Sequence, residues 1–176
     1  MGNMQQFWIF GYGSLMWNPG FDYVTKELAL VRGFHRRLCV RSFVHRGTPE
    51  RPGLVLGLDR GGSCHGLAFR IDPGNWDRTL AYLRAREQVT SVYLERNTRL
   101  TLVEHGGETE AVTYVVDRSH VQYAGKLEMM ETTALVHQGE GVSGRCRDYV
   151  MNTVAHLREM NIHDARLELL VKHLDG

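Results

Sequence analysis

The stretch from Leu54 to Gln88, LVLGLDRGGSCHGLAFRIDPGNWDRTLAYLRAREQ, changes its hydrophobic period part-way along. Its first half reads as strand: Leu54 to Leu58 and Cys64 to Ile71 are short apolar runs, and the Gly61 and Gly62 pair between them predicts a hairpin turn. Asp72 and Pro73 then supply the start of a helix. Beyond them Trp76, Leu80 and Leu83 recur at spacings of four and three, which is one face of a helix running to about Val89.

Upstream, Phe7 to Tyr12 is a buried strand that ends at glycine and opens into the loop GYGSLMWNPG, Gly11 to Gly20. Leu28 to Phe43 reads as one long or two short strands, with Arg32, Arg36, Arg37 and Arg41 on a charged outer face. Downstream, Val92 to Val103 and Ala111 to Val116 are two more strands about a turn at His105 to Gly107. The tail is helical over about Leu127 to His137, Arg145 to Met160 and His163 to Leu174, with apolar faces suited to packing on a sheet. Strands first and helices afterwards, without βαβ alternation, predict an α+β fold: a single domain, 1–176, built on a mixed, mostly antiparallel sheet or small β-barrel packed with helices.

A chain of 176 residues suffices for one self-supporting core. With 43% hydrophobic and 23% charged residues and a net charge of +1, it has neither the composition of a disordered chain nor the charge of a nucleic-acid or membrane-surface protein. No apolar run approaches the roughly 20 residues of a spanning helix, and Met1 to Gln6 lacks the form of a signal peptide. Three scattered cysteines, Cys39, Cys64 and Cys146, fit reduced thiols rather than a disulfide framework or zinc site, so the expected location is the cytoplasm and the expected partner a small molecule.

Two constellations stand out chemically. Gly11 and Gly13 flank Tyr12, and the backbone through Ser14, Leu15 and Met16 can turn tightly enough to present successive N–H groups to an anion. Neither the dinucleotide fingerprint nor the Walker A loop is matched, and a plain strand-to-loop turn remains open. The second is Glu87, four residues beyond Leu83 on the helical stripe. If that face is buried, Glu87 carries a carboxylate inward and burial raises its pKa toward that of a general base; otherwise it is a surface partner of Arg84, three residues earlier. Ser14 and Ser143 do not fit the hydrolase G-x-S-x-G elbow, and His35, His45 and His65 lack zinc-ligand spacing. The arginines between Arg32 and Arg51 read as a solvated strand face before they read as an RNA surface.

FWIFGYGSLMWNPGF (Phe7 to Phe21), HRRLCVRSFVHRGTPERPGLVLGLDRGGSCHGLAFR (His35 to Arg70), YLRAREQ (Tyr82 to Gln88) and GVSGRCRDYV (Gly141 to Val150) occur in an order that resembles the ChaC family of γ-glutamylcyclotransferases, over Phe7 to about Leu157. The resemblance implies cleavage of glutathione to 5-oxoproline and cysteinylglycine, without cofactor or metal. It implies that Gly11, Tyr12, Gly13, Ser14, Leu15 and Met16 cradle the γ-glutamyl group, that Glu87 is the catalytic acid/base, and that Tyr149 lies near the substrate. Met16 stands where many relatives have isoleucine, and Cys146 where asparagine is usual. The alternatives are a cyclotransferase for other γ-glutamyl amino acids or amines, and a non-catalytic transport-regulating binding protein. Oligomeric state is not readable from the chain.

Overall fold

The computed structural model describes residues 5–87 and 91–176. The chain forms two compact units, one of residues 1–36 with 58–116 and the other of residues 37–57 with 117–176. Five strands close into a barrel in the order β1-β3-β2-β4-β5: β1 (Phe7–Gly11), β2 (Thr25–Ser42), β3 (Gly53–Ile71), β4 (Tyr93–Leu102) and β5 (Glu108–Val116). Closure gives each of the five strands a neighbour on both sides. β1 runs antiparallel to β3, from Phe7 opposite Ile71 to Gly11 opposite Leu67, and meets β5 in parallel at Ile9 and Val112. The other described pairs are antiparallel, β2 with β4 and β4 with β5, so the α+β expectation of a mixed, mostly antiparallel barrel holds.

One expected turn is absent. Residues 54–71 do not form a hairpin; β3 is continuous, and Gly61 and Gly62 sit inside it at φ +100° and +68°. Glycines in that region serve a bend within a strand as readily as a reversal between two. β2 is likewise one long strand, the longer of the two alternatives.

The core of the first unit is made by Ile9, Phe10, Val31, Leu58, Phe69, Leu100 and Tyr114, all nearly solvent-free. Helix α1 (Trp76–Glu87) follows directly on a 3₁₀ turn, Pro73–Asn75, which Asp72 caps by accepting the Gly74 N–H at 2.8 Å and which Pro73 opens. Its Trp76 ring stacks 4.9 Å from Phe7 on β1. The buried face runs through Thr79 and Leu83, one residue off the expected Leu80, which is only half-buried. The expected end near Val89 lies outside the described residues.

In the second unit α2 (Met129–Gln138), α3 (Cys146–Glu159) and α4 (Ala165–Asp175) pack on one another through residues such as Val150, Val154, Leu157, Leu170 and Val171. The sequence predicts a sheet as their partner, and α3 does bond to the first residues of β3, at Leu54 and Leu56. A short ladder of β6 (Glu140–Gly141) and β7 (Gly144–Arg145) precedes α3.

Candidate active site

The loop after β1 is shaped by close backbone approaches. A Cβ at Gly66 would lie 2.3 Å from the Gly11 carbonyl oxygen, so only glycine lets β3 pass the end of β1 this closely. Thr113 Oγ1 on β5 donates to Phe10 O at 3.0 Å and fixes the last residues of the strand. The chain then winds into a single 3₁₀ turn, Ser14–Met16, with Met16 N–H on Gly13 O at 2.9 Å. Met16 is the first amide of the turn to bond inward, so those before it have no acceptor within the turn. Tyr12, Leu15 and Met16 are buried beneath the loop, which fits a role for them in shaping the backbone.

Arg36 holds this loop from behind. Its Nε donates to Tyr12 O at 2.7 Å and its Nη2 to His65 O at 2.6 Å, and the residue is only 9% exposed. The expectation of a solvated arginine face therefore fails at Arg36. Alternation along a strand says which face a residue takes, and it cannot say that carbonyls wait there for a guanidinium fork.

Opposite the loop, the last turn of α1 brings in Arg86 and Glu87. Arg86 Nη2 donates to Ser14 Oγ at 3.1 Å, and its Nη1 reaches Asn18 O at 2.7 Å, Pro19 O at 3.2 Å and Tyr82 Oη at 3.1 Å. Its Nε stands 3.7 Å from Glu87 Oε1. The Glu87 side chain is 17% exposed. Burial pushes its pKa above the ordinary carboxylate range, and the positive charge of Arg86 partly opposes that rise. Glu87 also extends the Thr79 and Leu83 face by one further step of four, which is why the helix carries it inward.

The alternative pairing of Glu87 with Arg84 does not occur. Arg84 instead grips Glu95 on β4 with two hydrogen bonds of 2.9 Å, and Tyr114 Oη donates to the same carboxylate at 2.9 Å. Arg84 and Tyr114 hold the Glu95 pKa down. Burial pushes the Tyr114 phenol far up, with the charges of Glu95 and Glu87 adding to the rise. Tyr114 is a hydrogen-bond donor at every physiological pH.

Tyr149 belongs to the second unit. There its hydroxyl accepts the Leu56 N–H at 3.1 Å, and the Arg46 guanidinium lies 5.5 Å from its ring centre. Cys146, one turn earlier on α3, accepts the Leu54 N–H at 3.3 Å and donates to Leu54 O at 3.1 Å. The sulfur thus meets both polar backbone groups of Leu54, as a weak acceptor and a weak donor. Burial pushes its thiol pKa up, as befits a structural cysteine.

The order of these elements, a glycine-lined turn after β1 tied by Arg86 to a helix end that carries a largely buried carboxylate, can be set beside known proteins. The family model described as ChaC-like protein matches residues 7–175. The chain belongs to the ChaC-like family. It is 32% identical over 165 residues to the glutathione-specific γ-glutamylcyclotransferase of Escherichia coli (strain K12), covering 93% of this chain and 71% of that protein. It is 30% identical to the human glutathione-specific γ-glutamylcyclotransferase 1, covering 85% and 69% respectively. In fold, this ChaC-like chain superposes on the crystal structure of a yeast γ-glutamyl cyclotransferase specific to glutathione with a TM-score of 0.87 and 22% identity, over 97% of this chain and 96% of that one.

Within the ChaC-like chain the structure ties Ser14, of the Gly11 to Met16 stretch, to Arg86, which in turn stands 3.7 Å from Glu87. Sequence reading missed Arg36 and Arg86 as parts of that network. Arg86 carried one local signal, since it follows Tyr82 by four residues on the helix. Arg36 carried none, because its partners are backbone carbonyls of residues distant in sequence.

Proposed function

We propose that this chain cleaves the γ-glutamyl amide of glutathione, releasing 5-oxoproline and cysteinylglycine. Its ChaC-like relatives in Escherichia coli and human carry that glutathione specificity in their names. The observation that carries the reading is Glu87: a carboxylate only 17% exposed and joined through Arg86 to the glycine-lined turn.

The substrate contains both reactants. Its α-amine nitrogen attacks its own γ-carbonyl carbon, a five-membered ring closes, the oxygen becomes an oxyanion, and the bond to the cysteine nitrogen then breaks. Holding amine and carbonyl in line replaces a costly encounter, and such positioning is worth roughly 7–11 kcal/mol of barrier. The amine is an ammonium at neutral pH and must lose a proton before it attacks, so a base with a raised pKa is well matched to removing that proton. Glu87 takes that proton and returns it to the departing cysteinylglycine nitrogen, so the protein ends each turnover unchanged. The early amides of the turn, over Gly13 to Leu15, supply donors for an anionic group of the substrate, either its α-carboxylate or the oxyanion. Tyr12, Leu15, Met16 and Gly11 shape that backbone, and Tyr149 is carried as a residue near the substrate on resemblance.

The family match spans both compact units, which supports reading residues 1–176 as one functional domain. Among the described residues no helix is long and apolar enough to cross a membrane. Three buried cysteines outside any disulfide favour a reducing compartment, in keeping with a cytoplasmic enzyme. The experiment is to incubate the purified chain with glutathione, γ-glutamyl dipeptides and γ-glutamyl amines side by side and measure 5-oxoproline directly. Strong preference for the tripeptide is expected. Equal or better turnover of the other compounds assigns the broader substrate class, and no 5-oxoproline from any of them refutes the enzymatic reading.

A further inference from the structure

We propose that Glu27, Glu104 and His105 form a binding site for one divalent transition-metal ion of the zinc type, where the β4–β5 turn meets the start of β2. None of the three takes part in the Glu87 network.

The argument begins with strand alternation. On β2 the buried residues Glu27, Ala29 and Val31 share the inward face, so the first inward position of the strand is a carboxylate. Glu27 is only 4% exposed. One of its oxygens contacts His105 Nδ1; the other, Oε1, is buried and has no hydrogen-bond partner among the described residues. A buried carboxylate oxygen without a donor is costly, and a cation is one of the few groups that satisfies it.

Strand register supplies a second, independent observation. Ala29 pairs with Leu102, and the ladder continues with Val103 N–H on Leu28 O at 2.9 Å. Carried two residues further, the same register sets Glu104 opposite Glu27. Two carboxylates facing each other across a strand pair repel unless something positive lies between them. The donor atoms of Glu27, Glu104 and His105 do converge, all lying within 4.8 Å of one another. Donors sharing one ion at ~2.0–2.2 Å stand about 3–4 Å apart, so rotation of the exposed Glu104 side chain inward and of His105 slightly away from Glu27 brings the set to that spacing.

The donor chemistry selects the ion. One imidazole and two carboxylates suit zinc and its neighbours, whereas magnesium prefers an all-oxygen, largely hydrated shell. The His105 side chain is 80% exposed, which gives the ion an entry path and leaves coordination positions for water. Loading replaces the Nδ1 hydrogen bond to Glu27 by coordination and releases any proton held there. The chain separation of Glu27 from His105 explains why no spacing motif announces the site.

The test uses the full chain, stripped with a chelator and titrated calorimetrically with Zn²⁺ in the absence of glutathione, with Mg²⁺ in parallel. His105→Ala and Glu104→Gln alter exposed side chains and leave the barrel core intact. The expected result is one equivalent of Zn²⁺ in the parent, weakened at least about tenfold in each variant. Zn²⁺ should also raise the parent melting temperature by more than it raises that of either variant. Zinc binding of equal strength in the parent and both variants would place the metal elsewhere, for example on the buried cysteines. No binding in the parent, or equal binding of Mg²⁺, would likewise overturn the site and leave protonated His105 as the sole partner of Glu27.

Discussion

Arg86 donates from Nη2 to Ser14 Oγ at 3.1 Å, so one guanidinium fastens the last turn of α1 to the loop that follows β1. Through it the acid-bearing helix end and the glycine-lined turn are held in a common geometry, with Glu87 Oε1 3.7 Å from the same group.

Replacing Arg86 therefore has two separable effects. Arg86→Ala removes hydrogen bonds to Ser14, Asn18, Pro19 and Tyr82, and a loss of one to two charge-assisted bonds' worth of positioning corresponds to a fall of about 10- to 100-fold in kcat/KM. It also removes the charge that restrains the Glu87 pKa, so the acid limb of the pH–rate profile should move to higher pH. Arg86→Lys keeps the charge without the fork. It should hold the limb near its parent position while failing to restore the rate. Full pH–rate profiles of the three proteins check both effects.

The same buried carboxylate makes a prediction about stability. The folded-state pKa of Glu87 is raised above its unfolded value, so between the two values the native state binds more protons than the unfolded state. Stability from this group is present below the ordinary carboxylate pKa and is lost as pH rises through the folded one. Glu87→Gln, which cannot ionise, should melt higher than the parent at pH 8, and the gap should narrow as the pH falls below the normal carboxylate range. Thermal melts across that pH series would count against a buried, raised-pKa Glu87 if the gap were constant or reversed.

Gly66 offers a purely steric probe of the loop. A methyl group there meets the Gly11 carbonyl at 2.3 Å and the fully buried Phe10 ring at 2.7 Å, which leaves little room to yield. Gly66→Ala should cost about 1–3 kcal/mol in denaturant unfolding and reduce turnover by displacing the start of the turn. Gly61→Ala on the same strand has open space around its Cβ but a φ of +100°. Its penalty is one of backbone strain alone, so it should destabilise without the matching loss of activity.

Tyr149→Phe removes the acceptor of the Leu56 N–H and should cost about 0.5–1.5 kcal/mol of stability. The proposed nearness of Tyr149 to the substrate adds a rise in KM for glutathione. Parallel melts and steady-state kinetics separate the two, and a stability loss with unchanged KM assigns the residue to the structure only.

The elements with strong periodicity were legible in the sequence. The helical stripe from Trp76 to Glu87, the tail helices and the strand pair about the His105 turn all lie close to where apolar spacing puts them. The hairpin reading at Gly61 and Gly62 failed because a positive-φ glycine marks a bend without saying whether the chain reverses. At the site, Glu87 could be picked out as an inward acid or a surface partner of Arg84; deciding between them required Glu95, whose carboxylate occupies Arg84 from another strand. Arg36 departs from a solvated strand face for a related reason. Its environment is made by the backbone of the loop after β1 and of β3, which pattern along β2 does not encode.

The central claim is that Glu87 moves the proton in a cyclisation that the substrate performs on itself. The most direct measurement is 5-oxoproline released from glutathione by purified parent and Glu87→Gln proteins, with glutathione binding determined on both. The account predicts a fall in kcat of about 10²–10⁴-fold or more in the variant, with binding largely kept and the fold intact. Release of 5-oxoproline by folded Glu87→Gln protein at close to the parent rate would contradict it.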